Sequence, residues 1–453
     1  MQPSMGSQAT GAAMVTSSGF DWNNAAEQGI AGILGLVPEV GPLLSALVYI
    51  FWPQSKEDIW GEIEAQVEAL IQKDLSQLVQ TEVSASLQGL NNVLNDYLLA
   101  LKDGTGDPTY ISEKWNIANG DFLQQLPTFQ MSGYQVLLLP LFAQFSNMHL
   151  SLLRDGVLGG AKWGWTPAIL KQTQITLTST IAAYAAYAQT TYQTGLTNVQ
   201  SSTPGNNQQA QPFRAVNQYV RQMTLTVLDF MNMWQYFDVS KYPNGVSVYL
   251  NREIYSDPQG TCDDSGPIVL PSPPTAPISQ ISVWAWDRID AVQLTYPAGG
   301  GPGGVTTTAR MGDQGGGSNS PPHGGVFQVA ANPVVTAGGL SGDIVNAMNF
   351  TFANGSSSGQ LGGNYPGGGP FSYSYPNEIL SSIHINGISN YYGSADCVVY
   401  GFKFRQSNQL SADTERLLYV TAPVVPSGTP EHSTVDQAAR NSYWKHLATK
   451  AKH

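Results

Sequence analysis

The side chains of this 453-residue chain best suited to metal or nucleophilic chemistry are six histidines and two cysteines, and their spacing assembles no site. His432, His446 and His453 lie in the C-terminal tail, while His149, His323 and His384 stand in no motif that would pair them with a nucleophile. There is no G-x-S-x-G elbow, no H-E-x-x-H and no C-x-x-C. No glycine-rich loop runs into Lys-Ser/Thr and a helix, which argues against a phosphate cradle. Cys262 and Cys397 are too few and too far apart in sequence for a disulfide scaffold or a thiolate zinc site. His149, alone in an apolar stretch, reads as a hydrogen-bonded core residue. The expectation is a protein that is not an enzyme, with no cofactor and no metal.

Charge narrows the partners. With 32 acidic against 20 basic residues the net charge is -12, the wrong sign for displacing counterions from nucleic acid. Charged residues make up 11%, against roughly 25% in ordinary soluble domains. Glycine and proline are abundant, 47 and 28, which suits turn-rich β-structure joined to an apolar partner. Residues 1–20 contain no Lys or Arg and no apolar run of signal-peptide length. The apolar stretch 30–52 is interrupted by Pro38, Glu39, Gly41 and Pro42, so it predicts two helices split at the prolines rather than a membrane anchor.

The elements that must carry any function change character near residue 257. Of the 47 glycines, 26 fall between residues 257 and 407 and 20 in the 256 residues before. The first part has helical periodicity: Ile63, Val67, Leu70, Ile71, Leu75, Leu78 and Val79 recur three and four apart, and 174–192 and 216–237 carry similar stripes. Breaks at 103–108, 159–167 and 201–212 divide it into six or seven helices. The reading is a flexible leader (1–24), a helical bundle (25–256), a β-rich unit (257–407) and a tail (408–453) from which one strand, 416–425, packs back.

One segment departs from a surface helix. Residues 132–153 hold no formal charge and leave no fully polar face, and a helix of that length spans roughly 30 Å. It predicts a central helix buried by its neighbours, and the same residues would also be at home in lipid.

The β-rich unit hides a threefold repeat. The runs 289–296, 345–352 and 397–404 superpose with apolar residues at places one, four, six and eight, and the last five places alternate as half-buried strands do. Near-equal offsets predict three copies of one sheet around a shared axis, a β-prism. Glycine-rich loops lie at 298–304, 312–325 and 355–370, and Tyr365, Phe371, Tyr373 and Tyr375 beside the third read as exposed aromatics suited to sugar stacking or lipid contact.

Several long blocks resemble the N-terminal domain of the three-domain insecticidal crystal (Cry) delta-endotoxins. They are FWPQS (51–55) with SLQGLNNVLNDYLLAL (86–101), then GYQVLLLPLFAQFSNMHLSLLRD (133–155) with YAQTTYQTGL (187–196), then VNQYVRQMTLTVLDF (216–230) with NREIYSDP (251–258). They stand in family order, and the β-rich unit is similar to the family's second domain. The segment 381–404 also resembles the last strands of jacalin-type lectins, although Asp396 follows Gly393 one place too early for their Gly-x-x-x-Asp sugar motif. The residues after 407 are too few for the family's third domain, so the resemblance implies a two-domain relative.

The resemblance implies a soluble or inclusion protein made without a signal peptide that acts outside the cell. It would bind a gut epithelial receptor or glycan, form a homo-oligomer on the target membrane and insert a hairpin of the family's fourth and fifth helices (109–128 and 132–156 here). Tyr134, Leu137, Leu138, Leu139, Leu141, Phe142, Phe145, Leu150 and Leu153 would meet lipid, and Glu113, Asp121, Gln144 and Asn147 would line the pore. Tyr365, Phe371, Tyr373, Tyr375, Tyr391, Tyr392 and Asp396 are the candidate receptor or glycan contacts. Lys102, Arg416 and Arg440 are candidate protease sites. A β-prism lectin or an inert defence protein without pore activity remains the alternative.

Overall fold

A computed structural model describes residues 40–51, 77–102, 107–202, 210–243, 252–263, 268–313, 316–363, 368–375, 378–390 and 392–404. The helical half comprises α1 (Pro42–Phe51), α2 (Gln77–Lys102), α3 (Pro108–Phe129), α4 (Gln135–Gly159), α5 (Pro167–Ser202) and α6 (Ala210–Met223). A π-helical turn (Thr224–Leu228), a short α7 (Asp229–Trp234) and a 3-10 turn extend α6 without a break. The predicted strand at 416–425 lies outside the described residues.

Local chemistry sets the helix ends. Asp107 caps α3 by accepting from Thr109 N (2.9 Å) and Tyr110 N, and Pro108 occupies the first helical position, where no amide is needed. Helix α4 is the centre of the bundle: every residue from 137 to 156 is buried. An amphipathic pattern would be useless there, which accounts for its lack of a polar face. Ser146 and Ser151 return their hydroxyls to carbonyls one turn back, Phe142 O (2.8 Å) and Asn147 O (2.7 Å), so they enter the core without unmet bonds. Pro140 sits within α4 and leaves one carbonyl of the preceding turn without its amide partner.

Close approach of α5 to its neighbours depends on Gly195. A Cβ there would stand 2.0 Å from Tyr219 Oη, whose hydroxyl donates to Tyr192 O (2.9 Å), and 2.7 Å from Val136 Cγ1 on α4. Gly195→Val is expected to destabilise the helical half by about 3 kcal/mol through overpacking, read as a lowered midpoint in urea unfolding.

Among the described residues twelve strands follow in three four-stranded antiparallel sheets. Their orders are β5 (Met311–Gly312), β4 (Ile289–Thr295), β3 (Gln280–Ala285), β6 (Gly325–Gln328); β10 (Gly369–Tyr373), β7 (Val334–Ser341), β8 (Val345–Phe352), β9 (Leu361–Gly362); and β1 (Ile254–Tyr255), β12 (Ala395–Phe404), β11 (Glu378–Ile388), with β2 (Gln259–Gly260) also on β12. Their inner faces share one apolar cluster that includes Val292, Met348, Phe350, Tyr400 and Phe402. This is the helical bundle around an apolar helix followed by a three-sheet prism that the sequence predicts.

The repeat is real, with one change of register. Strands β4 (Ile289–Thr295), β8 (Val345–Phe352) and β12 (Ala395–Phe404) each pair with a two-residue edge strand at one glycine: Ala291 with Gly312, Ala347 with Gly362, and Cys397 with Gly260. Each of these glycines has positive φ and lies flat on a carbonyl, of Asp290, Asn346 and Asp396 respectively, where a Cβ would approach to 2.5 Å or less. Cys397 therefore matches the third residue of the other copies, not the first. A slip of two preserves which face each side chain occupies, so alternation alone cannot detect it.

The cysteine expectation is also corrected. Cys262 and Cys397 form a disulfide across 135 positions, with Cα atoms 5.1 Å apart. The pairing of β2 (Gln259–Gly260) with β12 brings them together, a proximity that sequence distance conceals.

The two halves are joined through β1 (Ile254–Tyr255) and its flanks. Asn217 Nδ2 donates to Tyr255 O (3.0 Å) and Ser256 O (2.9 Å), and Arg221 pairs with Asp257 at 3.1 Å. Arg252, itself buried, bridges Asp229 of α7 (3.1 Å) and Glu378 at the start of β11 (Glu378–Ile388).

Candidate membrane hairpin and prism loops

Helices α3 and α4 form an antiparallel hairpin with its tip at residues 130–134. No Asp, Glu, Lys or Arg occurs from Phe122 to Leu153. Among the described residues α4 is the one helix long and apolar enough to cross a membrane, and here it is sheathed by protein. Leu137, Leu138, Leu139, Leu141, Phe142, Phe145, Leu150 and Leu153 all lie in the helical core, and Tyr134 is half-buried at the helix start.

The contacts of α4 divide into two sets. Within the hairpin, Phe145 meets Phe122 and Phe129 with ring centroids 5.1 and 4.7 Å apart, and Trp115 Nε1 donates to Leu152 O (2.7 Å). Across to the rest of the bundle, Phe142 meets Tyr184 and Trp234, and polar side chains supply specific bonds. Trp234 Nε1 donates to Asn147 Oδ1 (2.7 Å), Asn147 Nδ2 to Gln144 Oε1 (2.8 Å), and Gln144 Nε2 to Thr226 O in the π turn (3.4 Å). Gln144 and Asn147 are thus fully buried in this state, their amides satisfied by the last helix. Glu113 is exposed on α3 and Asp121 half-buried, with Asp121 Oδ1 accepting from Gln125.

His149 is a core histidine, as expected. Its ring stacks on Phe122 at 4.7 Å, with Tyr184 Oη 2.6 Å from Nδ1 and Asn119 Oδ1 3.1 Å from Nε2. Burial holds its pKa down to about 3, so it is neutral. No group of three His, Cys, Asp or Glu side chains among the described residues is placed to hold a metal ion.

Near the far end of α4 is a buried carboxylate that sequence reasoning missed. Asp155 accepts from Gly41 N through both oxygens (3.1 Å each) and from Tyr97 Oη (3.2 Å), next to the buried Arg154. Burial raises its pKa to about 7 against the opposing pull of the Gly41 amide, Arg154 and Tyr97. A charge at the edge of an uncharged stretch was the available signal.

The prism candidates are rearranged. Phe371 is not an exposed loop aromatic: it lies in the prism core beside Tyr400 at 6.2 Å. Tyr373 and Tyr375 are half-buried, the first accepting from Gln259 Nε2 and the second edge-on to Phe402 at 5.1 Å. All three alternate on and just after β10 (Gly369–Tyr373), so the period of two that turns them inward outweighs the surrounding glycines. Asp396 is fully buried under Gly260 and so offers no open contact for a sugar. Tyr392 is half-buried beneath the Arg288 guanidinium, 4.7 Å from its ring centroid. Lys102 is exposed at the last position of α2. Tyr365, Tyr391, Arg416 and Arg440 lie outside the described residues.

The aromatic that does reach solvent is Trp286, in the tight turn between β3 (Gln280–Ala285) and β4, at 62% exposure. Its ring leans on His323, centroids 4.6 Å apart. The Trp-Asp-Arg turn was legible as a hairpin only once β3 and β4 were paired.

Comparison with known proteins agrees with this architecture. Residues 29–238 match the delta endotoxin, N-terminal domain family. The pesticidal crystal protein Cry26Aa of Bacillus thuringiensis subsp. finitimus is 34% identical over 237 residues, 50% of this chain and 20% of that protein. Cry9Ca of Bacillus thuringiensis subsp. tolworthi is 34% identical over 241 residues, 51% of this chain and 20% of that protein. The chain thus spans about a fifth of the length of these curated relatives. Among solved structures, the insecticidal delta-endotoxin Cry8Ea1 of Bacillus thuringiensis superposes with a TM-score of 0.69 at 23% identity, covering 85% of this chain and 74% of that one. PirB superposes with a TM-score of 0.68 at 13% identity, covering 86% and 96%. At these identities the structures share the fold.

Proposed function

We propose that this chain, whose residues 29–238 match the delta endotoxin N-terminal domain, is a pore-forming insecticidal protein whose α3–α4 hairpin enters the target membrane. The family is one of toxins, not enzymes. The observation that carries the proposal is α4: 25 residues, roughly 37 Å of helix, without a charge from its start to Leu153 and held dry inside a soluble bundle. Its backbone bonds are internal to the helix, as lipid requires, except at the one carbonyl that Pro140 leaves without an amide. The α3–α4 aromatic contacts travel with the hairpin, while the Asn147–Trp234, Gln144–Thr226 and His149–Tyr184 bonds must break.

In the membrane, Gln144 and Asn147 then need polar partners again, which a water-filled lumen supplies, and Asp121 and Glu113 on α3 would share that lumen. The prism and its loops would bind a gut epithelial receptor or glycan, with several copies assembling on the membrane, and proteolysis at the exposed Lys102 would free the hairpin at its α2 end. A lectin without pore activity would use the prism alone, and burial would then be the whole reason α4 lacks charge.

The test is planar-bilayer conductance of the full chain, alone and with membrane extract from susceptible gut cells. Discrete current steps are expected, and Asp121→Asn should lower cation preference severalfold without altering the soluble fold. A chain that never passes current under either condition would overturn the proposal.

A further inference from the structure

Three of the four tryptophans described in the helical half gather at one end of the α3–α4 hairpin, the end away from its tip. Trp115 comes from α3, and Trp163 and Trp165 from the connection between α4 and α5. Their rings meet edge-on, Trp115 to Trp165 at 4.8 Å and Trp163 to Trp165 at 5.3 Å between centroids. Each indole lies against its own glycine at the end of α4. A Cβ at Gly156, Gly159 or Gly160 would stand 2.7, 2.4 or 2.2 Å from Trp115, Trp163 or Trp165 respectively. Trp165 Nε1 donates to Ser112 Oγ of α3 (2.7 Å), so this collar is internal to the hairpin and its connection, as the Trp115–Leu152 bond is. From the rest of the bundle Tyr97 of α2 meets Trp163 edge-on at 6.2 Å.

The collar also carries unmet positive charge. Arg154 is 3% exposed, and its Nη1 has no acceptor among the described residues. The neighbouring Asp155 turns its oxygens instead to Gly41 N and Tyr97 Oη. Lys162 stands exposed at the rim. From Tyr134 to Arg154 the chain rises roughly 30 Å, the thickness of bilayer hydrocarbon, with no Asp, Glu, Lys or Arg between them.

We infer that the collar is a membrane-interface anchor: the three indoles settle at the headgroup level of the leaflet the hairpin enters, and Arg154 takes a phospholipid phosphate, which fixes the depth of insertion. The inference rests on the reading of α3–α4 as the inserting hairpin. Indoles have an apolar body and a polar N–H, and they collect where hydrocarbon meets water. A guanidinium forks onto phosphate oxygens, and one placed just beyond an uncharged span reaches the headgroups without entering the hydrocarbon. Packing of the soluble bundle accounts for the indoles but not for a buried guanidinium donor left without an acceptor. Departure of the hairpin from α2 removes Tyr97 from Trp163 and leaves the collar itself intact.

The experiment uses the full chain on phosphatidylcholine vesicles that contain membrane extract from susceptible gut cells. Their acyl chains carry bromine either near the glycerol or near the methyl end, and dye release is followed on the same vesicles. The emission lost on changing Trp163→Phe and Trp165→Phe together reports the collar. That emission is expected to be quenched at least twofold more by the shallow bromines than by the deep ones. Arg154→Gln should slow dye release at least fivefold, and Arg154→Lys should recover most of it. Dye release by the wild type with collar emission quenched by neither lipid, or more by the deep bromines, would overturn the anchor and leave the pore reading standing. Equal release by Arg154→Gln and wild type would overturn the phosphate contact. No release by the wild type would instead overturn the pore reading, and the anchor with it.

Discussion

Arg252→Ala is expected to cost about 3–5 kcal/mol of stability and to part the helical half from the prism before either melts fully. Arg252 is 7% exposed and its guanidinium spans Asp229 and Glu378, whose side chains are 2% and 0% exposed. Removing the cation leaves two carboxylates in an interior that cannot solvate them, and that penalty exceeds the modest net worth of an intact buried pair. Burial already raises Glu378 to about 7 despite Arg252, so in the variant it would take up a proton at neutral pH. Arg252→Lys keeps the charge but not the fork that reaches both partners, and should fall between the two. Urea unfolding followed by both tryptophan fluorescence and far-ultraviolet circular dichroism reads the effect. Coincident, unshifted transitions in Arg252→Ala would show that the bridge does not hold the halves together.

The second large effect is on pH dependence. Asp155 has its pKa raised from 3.8 to about 7, a difference that corresponds to about 4 kcal/mol between its protonated and ionised states. Because the folded value lies above the unfolded one, its contribution to stability is fully present below pH 3.8 and is lost as pH rises through about 7. The wild type should therefore be less stable at pH 9 than at pH 5, and Glu378, raised in the same sense, adds to the slope. Asp155→Asn retains an acceptor for Gly41 N and Tyr97 Oη without the titration, and should flatten much of that slope. Thermal unfolding from pH 5 to pH 9 checks it: equal slopes in variant and wild type would place the pH dependence elsewhere. Asp155 lies near the end of α4 away from the hairpin tip, so its ionisation loosens the bundle where the hairpin is anchored to α1 and α2.

How far the sequence could be read depended on whether the physics was local. Helix α4 was legible because a run with neither charge nor polar face has few places to go, and His149 because a lone histidine in that run has only packing partners. The prism was legible from alternation at 289–296 and 345–352. In the third copy the same alternation admitted a register two residues off, and only the pairing of Cys397 with Gly260 resolves it. The cysteines were misread because a contact across 135 positions leaves no trace in spacing. Phe371, Tyr373 and Tyr375 were misread because glycines around them suggested a loop, whereas strand pairing with β7 (Val334–Ser341) turns Phe371 inward. Trp286 and Asp155 were passed over because their environments are made by segments remote in the chain: His323 and Tyr392 for one, Gly41 and Tyr97 for the other.

The sulphur bridge makes most of the prism a closed covalent ring. Arg288 and Arg310 are the only Lys or Arg residues between Cys262 and Cys397, so a trypsin-like enzyme has two targets inside the ring. A single nick at either one opens the circle without shedding a fragment, because the severed ends stay tethered through the two cysteines. This half of the molecule can thus be nicked once and still keep its severed ends together, whereas a cut on the helical side meets no such tether.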